Sequence, residues 1–155
     1  MLIPPGTYRW TQHRFQASTA EKRIISGTFA FTYGDFYQGR LNTTELSVVV
    51  KPSPSFAFEL STERNTVTLP QGRFTEELFA GRLEYKYSAD FQVSSFLQYD
   101  NESRSFGTNT RLHWTFNPLG DLFVVFNHNM LRNANNRLAF ESNQLLVKVQ
   151  YAPRL

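Results

Sequence analysis

Three histidines have the widest chemical scope in this sequence, since imidazole serves both as a general base and as a metal ligand: His13, His113 and His128. Their positions follow no metal-ligand spacing, and the chain contains no cysteine. Each histidine is therefore interpreted as a lumen or loop residue. No metal and no other cofactor is expected.

The carboxylates are the other groups that could take part in acid–base chemistry. Asp100, Glu63 and His128 are expected near one rim of the fold, where a hydrolase site would lie, but no spacing fixes them together. A rim hydrolase therefore stays an alternative function rather than the favoured one. The adjacent Glu76 and Glu77 are interpreted as charges in a loop stem and not as an acid/base dyad.

Composition limits the class of protein to which the chain can belong. The 155 residues fit one domain, 1–155, and they include 15 Phe, 7 Tyr and 2 Trp. No apolar run approaches the length of about 20 residues that a membrane-spanning helix needs. The net charge of +3 comes from scattered Lys and Arg rather than from a dense basic run, so nucleic acid is not an expected partner.

Alternation of polar and apolar residues is the dominant pattern, and it is clearest from Arg82 to Tyr87. A period of two predicts β-strands with one polar and one apolar face. The predicted fold class is therefore all-β: an antiparallel up-and-down meander of about nine strands. They are placed at 7–18, 23–33, 43–51, 55–64, 74–87, 90–99, 105–117, 121–129 and 143–153.

The connections between these strands are predicted to alternate in length. Short turns are expected at 20–22, 52–55, 88–90 and 117–120. Longer polar loops are expected at 34–42, 63–73, 99–107 and 127–143. Short periplasmic turns that alternate with longer extracellular loops are typical of an outer-membrane β-barrel, so a transmembrane barrel of the Gram-negative outer membrane, or the C-terminal part of one, is expected.

In such a barrel the two faces of each strand have different surroundings. The polar face is expected to line the lumen, with Glu84 neutralising its neighbours: Arg82, Glu84, Lys86, Arg111, His113 and Lys148. The apolar face is expected to meet lipid, with aromatic bands at the periplasmic and outer interfaces respectively: Tyr85, Tyr87, Phe91, Trp114, Phe116 and Tyr151; Trp10, Tyr33 and Tyr99. The alternative is a soluble lipocalin-like barrel whose apolar face encloses an apolar ligand.

Several phrases resemble one bacterial family. They are "GDFYQGR" at 34–40, "KPSPSFAFEL" at 51–60, "VTLPQGRFTEELFAGRLEYKYSADFQVSSFLQYDN" at 67–101, "TNTRLHWTFNPLGDLFVVFNHN" at 108–129 and the closing "QLLVKVQYAPRL". Proteins of the family that these phrases resemble have a periplasmic carbohydrate-binding-like domain of the family-9 type. In them it is followed by a large C-terminal outer-membrane barrel of unknown function. The resemblance implies fold and location. It carries over no site residues, and because the matching phrases belong to the barrel, no glycan binding is inferred from it.

Strand parity gives an expectation about assembly. With the C-terminus in the periplasm, nine strands place the N-terminus outside, so residues 1–6 are expected to form an extracellular tail. Bacterial single-chain barrels have even strand numbers. The chain is therefore expected to be a segment of a larger barrel, completed by upstream strands or by another barrel chain, that serves as a membrane anchor or pore of an envelope protein. Its closing strand, with Val147, Val149, Tyr151 and Pro153 on one face, resembles the signal read by the barrel-insertion machinery.

Overall fold

A computed structural model describes residues 6–152, and over this range the chain is a single antiparallel sheet with no helix. The order of the strands in the sheet is their order in the sequence, so the predicted meander of nine strands is confirmed. The strands are β1 (Gln12–Ser18), β2 (Ile25–Phe36), β3 (Gly39–Ser53), β4 (Phe56–Leu69), β5 (Gly72–Lys86), β6 (Phe91–Asp100), β7 (Ser105–Asn117), β8 (Gly120–Arg132) and β9 (Leu138–Tyr151).

The predicted alternation of short and long connections is wrong. One end of the sheet is named the upper end, and there the strands are connected at 37–38, 70–71, 101–104 and 133–137. At the opposite, lower end they join at 19–24, 54–55, 87–90 and 118–119, so the longest connection lies where a short turn was expected. The polar stretches that were predicted to be upper loops instead continue the strands. Strand pairing is formed by hydrogen bonds between backbone groups, and polar residues supply these groups as well as apolar ones do.

A close backbone approach shapes the hairpin between β2 and β3. Tyr37 adopts a left-handed conformation with φ of 52°. A Cβ at Gly39 would lie 1.9 Å from the carbonyl oxygen of Thr68 on β4. Only glycine therefore allows β4 to pair alongside this hairpin.

The register gives the sheet two faces of different chemistry. One row across five strands is polar on β5, β6 and β7 and apolar on β8 and β9: Glu84, Ser94, Arg111, Val125 and Leu146. The adjacent row, whose side chains point the other way, is apolar throughout: Tyr85, Val93, Leu112, Val124 and Val147. The face that carries the first row is named the polar face, and the other the apolar face.

Neither face is covered by a second layer. The buried hydrophobic residues among those described are Ala30, Val67 and Leu69, and all three belong to the polar face. The accessible surface is 11390 Å², whereas a folded soluble protein of 18.0 kDa exposes about 8,000 Å². The apolar face therefore lacks the packing that a soluble sandwich or barrel would give it.

The sheet is open, with β1 and β9 at its two edges. Because each strand is antiparallel to the next, these two edge strands run in the same direction, from the upper to the lower end. The predicted first strand was too long, since β1 begins at Gln12. Most of the expected extracellular tail and the terminal Pro153 lie outside the described residues.

Candidate functional site

Two adjoining depressions lie on the polar face between β5 and β8. One has a volume of about 460 Å³, and its walls include Lys86, Gln92, His113 and Phe123. The other, of about 330 Å³, is bordered by Arg82, Phe96 and Asn109. Glu84, Ser94 and Arg111 line both. Five of the six predicted lumen residues therefore line these two adjoining depressions: Arg82, Glu84, Lys86, Arg111 and His113.

His113 is the most constrained side chain of this site. Its Nε2 lies 2.9 Å from Asp121 Oδ1, and its Nδ1 lies 3.1 Å from Gln92 Nε2. The ring stacks on Phe123 with centroids 4.3 Å apart. Thr115 Oγ1 donates to the same oxygen of Asp121 at 2.7 Å. Because the Gln92 amide can only donate through nitrogen, Nδ1 is the acceptor and Nε2 carries the proton given to Asp121.

The expected neutralisation around Glu84 is only partly present. Glu84 Oε2 lies 4.0 Å from Lys86 Nζ, which is the outer limit of an ion pair between exposed side chains. Arg82 instead lies over the ring of Phe96, with 5.7 Å between Cζ and the ring centroid. The prediction failed for Arg82 because the cross-strand register brings an aromatic ring of β6 beside it.

The remaining cations of this region also contact neutral groups. Arg111 Nε donates to Asn109 Oδ1 at 2.7 Å. Lys148 Nζ lies 5.9 Å from the centroid of the Phe123 ring. Lys148 is thus placed on the same row as His113, separated from it by Phe123. The positive charges are held by amides and rings rather than by carboxylates.

Amide side chains continue this polar surface towards β9. Asn109 donates to Asn127, and Asn127 Nδ2 donates to Gln144 Oε1 at 3.2 Å. Asn129 Nδ2 donates to Ser142 Oγ at 3.1 Å. These residues share a face with Arg111, and alternation alone could have included them. They were missed because the predicted lumen residues were limited to charged side chains and His113.

Carboxylates concentrate on the other half of the polar face. Arg14 on β1 forms two hydrogen bonds of 2.5 and 2.9 Å with Glu45 on β3, reaching across β2. Glu63 accepts from Asn65 at 2.9 Å, and Glu59 accepts from Ser47 at 3.0 Å. Sequence reasoning missed Arg14 and Glu45, because a pairing between strands that are not adjacent depends on the register.

The upper rim carries a group of acidic residues. The Ser103 hydroxyl donates to Asp100 at 2.8 Å and holds the pKa of that carboxyl below its usual range, with help from the Glu102 amide. Desolvation raises the pKa of Glu76, and the nearby Glu102 raises it further. Glu76 lies in β5 rather than in the loop stem that was expected.

Aromatic residues mark both ends of the apolar face on β6. Phe91 lies at the lower end and Tyr99 at the upper end of that strand. Lower-end rings contact one another, with centroids of Trp114 and Phe116 6.0 Å apart and those of Tyr87 and Phe91 6.4 Å apart. Tyr85 and Tyr151 lie at the same end, and Tyr33 at the upper end.

Trp10 does not occupy the predicted position on the first strand. It precedes β1 and packs against the β2–β3 hairpin, with centroid distances of 6.0 Å to Phe36 and 5.2 Å to Tyr37. The weak alternation before Gln12 was mistaken for strand. Trp10 therefore contacts the upper β2–β3 hairpin from a segment that precedes the first strand.

A charged pair limits the apolar face on β4 and β5. Arg64 Nε lies 3.2 Å from Glu77 Oε1, and the two residues are opposite each other in the register. Directly below them, the same face carries Thr62 and Phe79. The apolar zone on these strands therefore extends from the lower end up to Phe79.

The structure does not assemble the residues that a rim hydrolase would need. His128 belongs to the apolar face, where its Nδ1 lies 2.6 Å from Asn143 Oδ1. Asp100 belongs to the polar face, so the two side chains point to opposite sides of the sheet. His13 also lies on the apolar face, beside Tyr33. Among residues 6–152 no three His, Asp or Glu side chains are grouped to hold a metal.

No protein-family model matches the sequence, and no curated protein is significantly similar to it. The family resemblance drawn from the sequence phrases therefore stays a prediction. In the described part of the chain, no helix has the length and apolar character required for a membrane span.

Proposed function

We propose that this chain is part of the wall of an outer-membrane β-barrel, with the apolar face towards lipid and the polar face towards the lumen. In this role it is a membrane-embedded anchor or pore segment of a larger envelope protein. One observation carries the proposal: the apolar face is extensive and uncovered, while the opposite face holds the depressions and the charged residues that line them. A soluble barrel around an apolar ligand would require the reverse arrangement.

The dimensions of the apolar face support this proposal. On β6, Phe91, Val93, Leu97 and Tyr99 share the face with Ser95. The eight residue steps from 91 to 99 cover about 27 Å along a strand and about 21 Å along the normal at a tilt of about 40°. Outer-membrane barrels carry an apolar band about 25 Å tall with aromatic girdles at its edges. The Arg64–Glu77 pair would then lie above the lipid.

The open edges support a place within a larger sheet. β9 is exposed along nearly its whole length, and all described residues of β1 are exposed. In lipid, unpaired backbone groups cost several kcal/mol each, so a stable barrel must pair both edges. We propose that further strands, supplied by the same polypeptide or by another barrel chain, complete the wall. The barrel-insertion machinery is the expected partner for the closing strand.

Single cysteine substitutions at two adjacent positions of β6 test the orientation, since these 155 residues contain no native cysteine that would react beside them. In purified outer membranes, Ser94→Cys on the polar face should react with a small water-soluble maleimide. Val93→Cys on the apolar face should resist that reagent. A fluorophore attached at position 93 in detergent should, after reconstitution, be quenched by nitroxide-labelled lipid, and one at position 94 should not.

Two results would refute the proposal. The first is equal reactivity of the two cysteines with the maleimide and equal quenching by lipid. The second is recovery of the natural protein in the soluble periplasmic or cytoplasmic fraction, with none in the outer membrane. A closed lumen filled by side chains would slow labelling of Ser94→Cys, but lipid quenching would still distinguish the two positions.

A further inference from the structure

We infer that the paired depressions between β5 and β8 bind a small anionic solute through a carboxylate or phosphate group. This inference rests on the proposed function, because it takes the polar face to border water. Three cations line the depressions, Arg82, Lys86 and Arg111, against one carboxylate, Glu84. The site therefore carries net positive charge at neutral pH.

The arginines are positioned but not neutralised. Asn109 accepts from Arg111 Nε, while the two terminal nitrogens of Arg111 have no hydrogen-bond partner among residues 6–152. Arg82 is held against the Phe96 ring. Glu59 lies opposite Arg82 in the register of β4 and β5, but no carboxylate within the described range forms an ion pair with this arginine. A guanidinium fixed at Nε and open at its terminal nitrogens presents parallel donors, which match the oxygens of a carboxylate or phosphate.

The surroundings favour an anion over a neutral ligand. Ser94 and Asn109 supply polar groups in the same wall as Arg111. The combined volume, about 460 and 330 Å³, is in the range of small-molecule sites. Of the acidic residues on β3 and β4, Glu45 and Glu63 do not line either depression, whereas Glu59 lies opposite Arg82 in the register and on the same face. An anion is therefore expected on the side of the depressions where Arg111 lies, on β7, away from Glu59.

Anion binding can be measured on the complete protein in nanodiscs by nuclear magnetic resonance of the arginine side chains. Inorganic phosphate and citrate are the probes, titrated against chloride at constant ionic strength. The Hε signals of Arg82 and Arg111 should shift with phosphate and with citrate and saturate, and chloride should give no saturable shift. Phosphate alone would indicate a phosphate site, and citrate alone a carboxylate site.

Substitutions separate specific binding from general attraction. Arg111→Gln should raise the dissociation constant about ten-fold, because one charged donor pair is lost. Arg111→Lys should recover little of this affinity, since a lysine cannot offer two parallel donors. Glu84→Gln should strengthen binding severalfold by removing the competing negative charge. Arg73→Gln, on the apolar face of β5, is the matched control for Arg111→Gln and should leave binding unchanged.

The gain in affinity expected for Glu84→Gln cannot result from misfolding of that variant, because an unfolded variant would lose binding. Equal affinities for the Arg111→Gln and Arg73→Gln variants would overturn the inference, and so would full affinity in Arg111→Lys. Failure of anion binding while Val93→Cys and Ser94→Cys behave as expected would refute this site alone. Failure of those cysteine experiments would refute the proposed function whatever the phosphate titration shows.

Discussion

A lysine introduced at Val48 should destabilise the protein in a lipid bilayer far more than a lysine at the next residue. Val48 lies on the apolar face of β3, between Leu46 and Val50, and its neighbours in the register are Gly27 and Leu60. It is thus the middle of three apolar positions on its strand. A lysine facing lipid costs about 2–4 kcal/mol at the bilayer midplane. A cost of about 3 kcal/mol lowers the folding equilibrium constant roughly 100-fold.

Val49 provides a control of the same residue type on the polar face. It is paired in the register with Ser26 and Glu59, so a lysine at this position would lie beside a carboxylate. The expected change in unfolding free energy is within about 0.5 kcal/mol. Urea titration of the complete protein in lipid vesicles, followed by the mobility shift between folded and heated forms, measures both variants. A Val49→Lys variant that loses as much stability as Val48→Lys would refute the assignment of faces.

Two smaller effects should be measurable at the upper rim and at the β1 edge. Glu76→Gln should raise the urea midpoint at pH 7. The pKa of Glu76 is raised in the folded state, so the ionised form of this residue disfavours folding. This penalty disappears as the pH falls below the ordinary glutamate pKa of about 4.3. A gain that persists at pH 3 would contradict this reasoning. Arg14→Gln should speed hydrogen exchange of the β1 amides without affecting β8, because the hydrogen bonds to Glu45 tie the edge strand to β3. Unchanged exchange in β1 would show that the pair does not hold the edge.

Alternation in the sequence was sufficient to predict the strand count, the strand order and the two faces. In β5, every second residue from Arg82 to Lys86 is charged, and the opposite positions Leu83 and Tyr85 are apolar. Because side chains alternate strictly along a strand, such a segment fixes the facing of its own strand without any tertiary information. Short connections then allow only neighbours in sequence to pair.

Contacts between strands could not be predicted in the same way. The facing of Arg82 follows from its own strand, but the position of Phe96 beside it follows from the register of β5 with β6. The register depends on the position of the turn in each hairpin. The upper ends of the strands are polar, so the sequence pattern did not show where the strand ended and the turn began. At β4, the residues from Asn65 to Thr68, beyond the predicted strand 55–64, were read as loop, although each continues the backbone ladder with β5. Polarity therefore located the upper limit of the apolar face better than it located the end of the strand.

The geometry of the two edges restricts what can complete the proposed barrel. β1 and β9 run in the same direction, so joining them directly, or joining β9 of one copy to β1 of a second copy with the same membrane orientation, would create parallel pairs. Pairing β9 with β9 of another copy would be antiparallel, but it would place one copy upside down in the membrane. An all-antiparallel closure with one orientation thus requires an odd number of additional strands. The structure therefore favours completion by strands of different sequence over assembly from copies of this sheet alone.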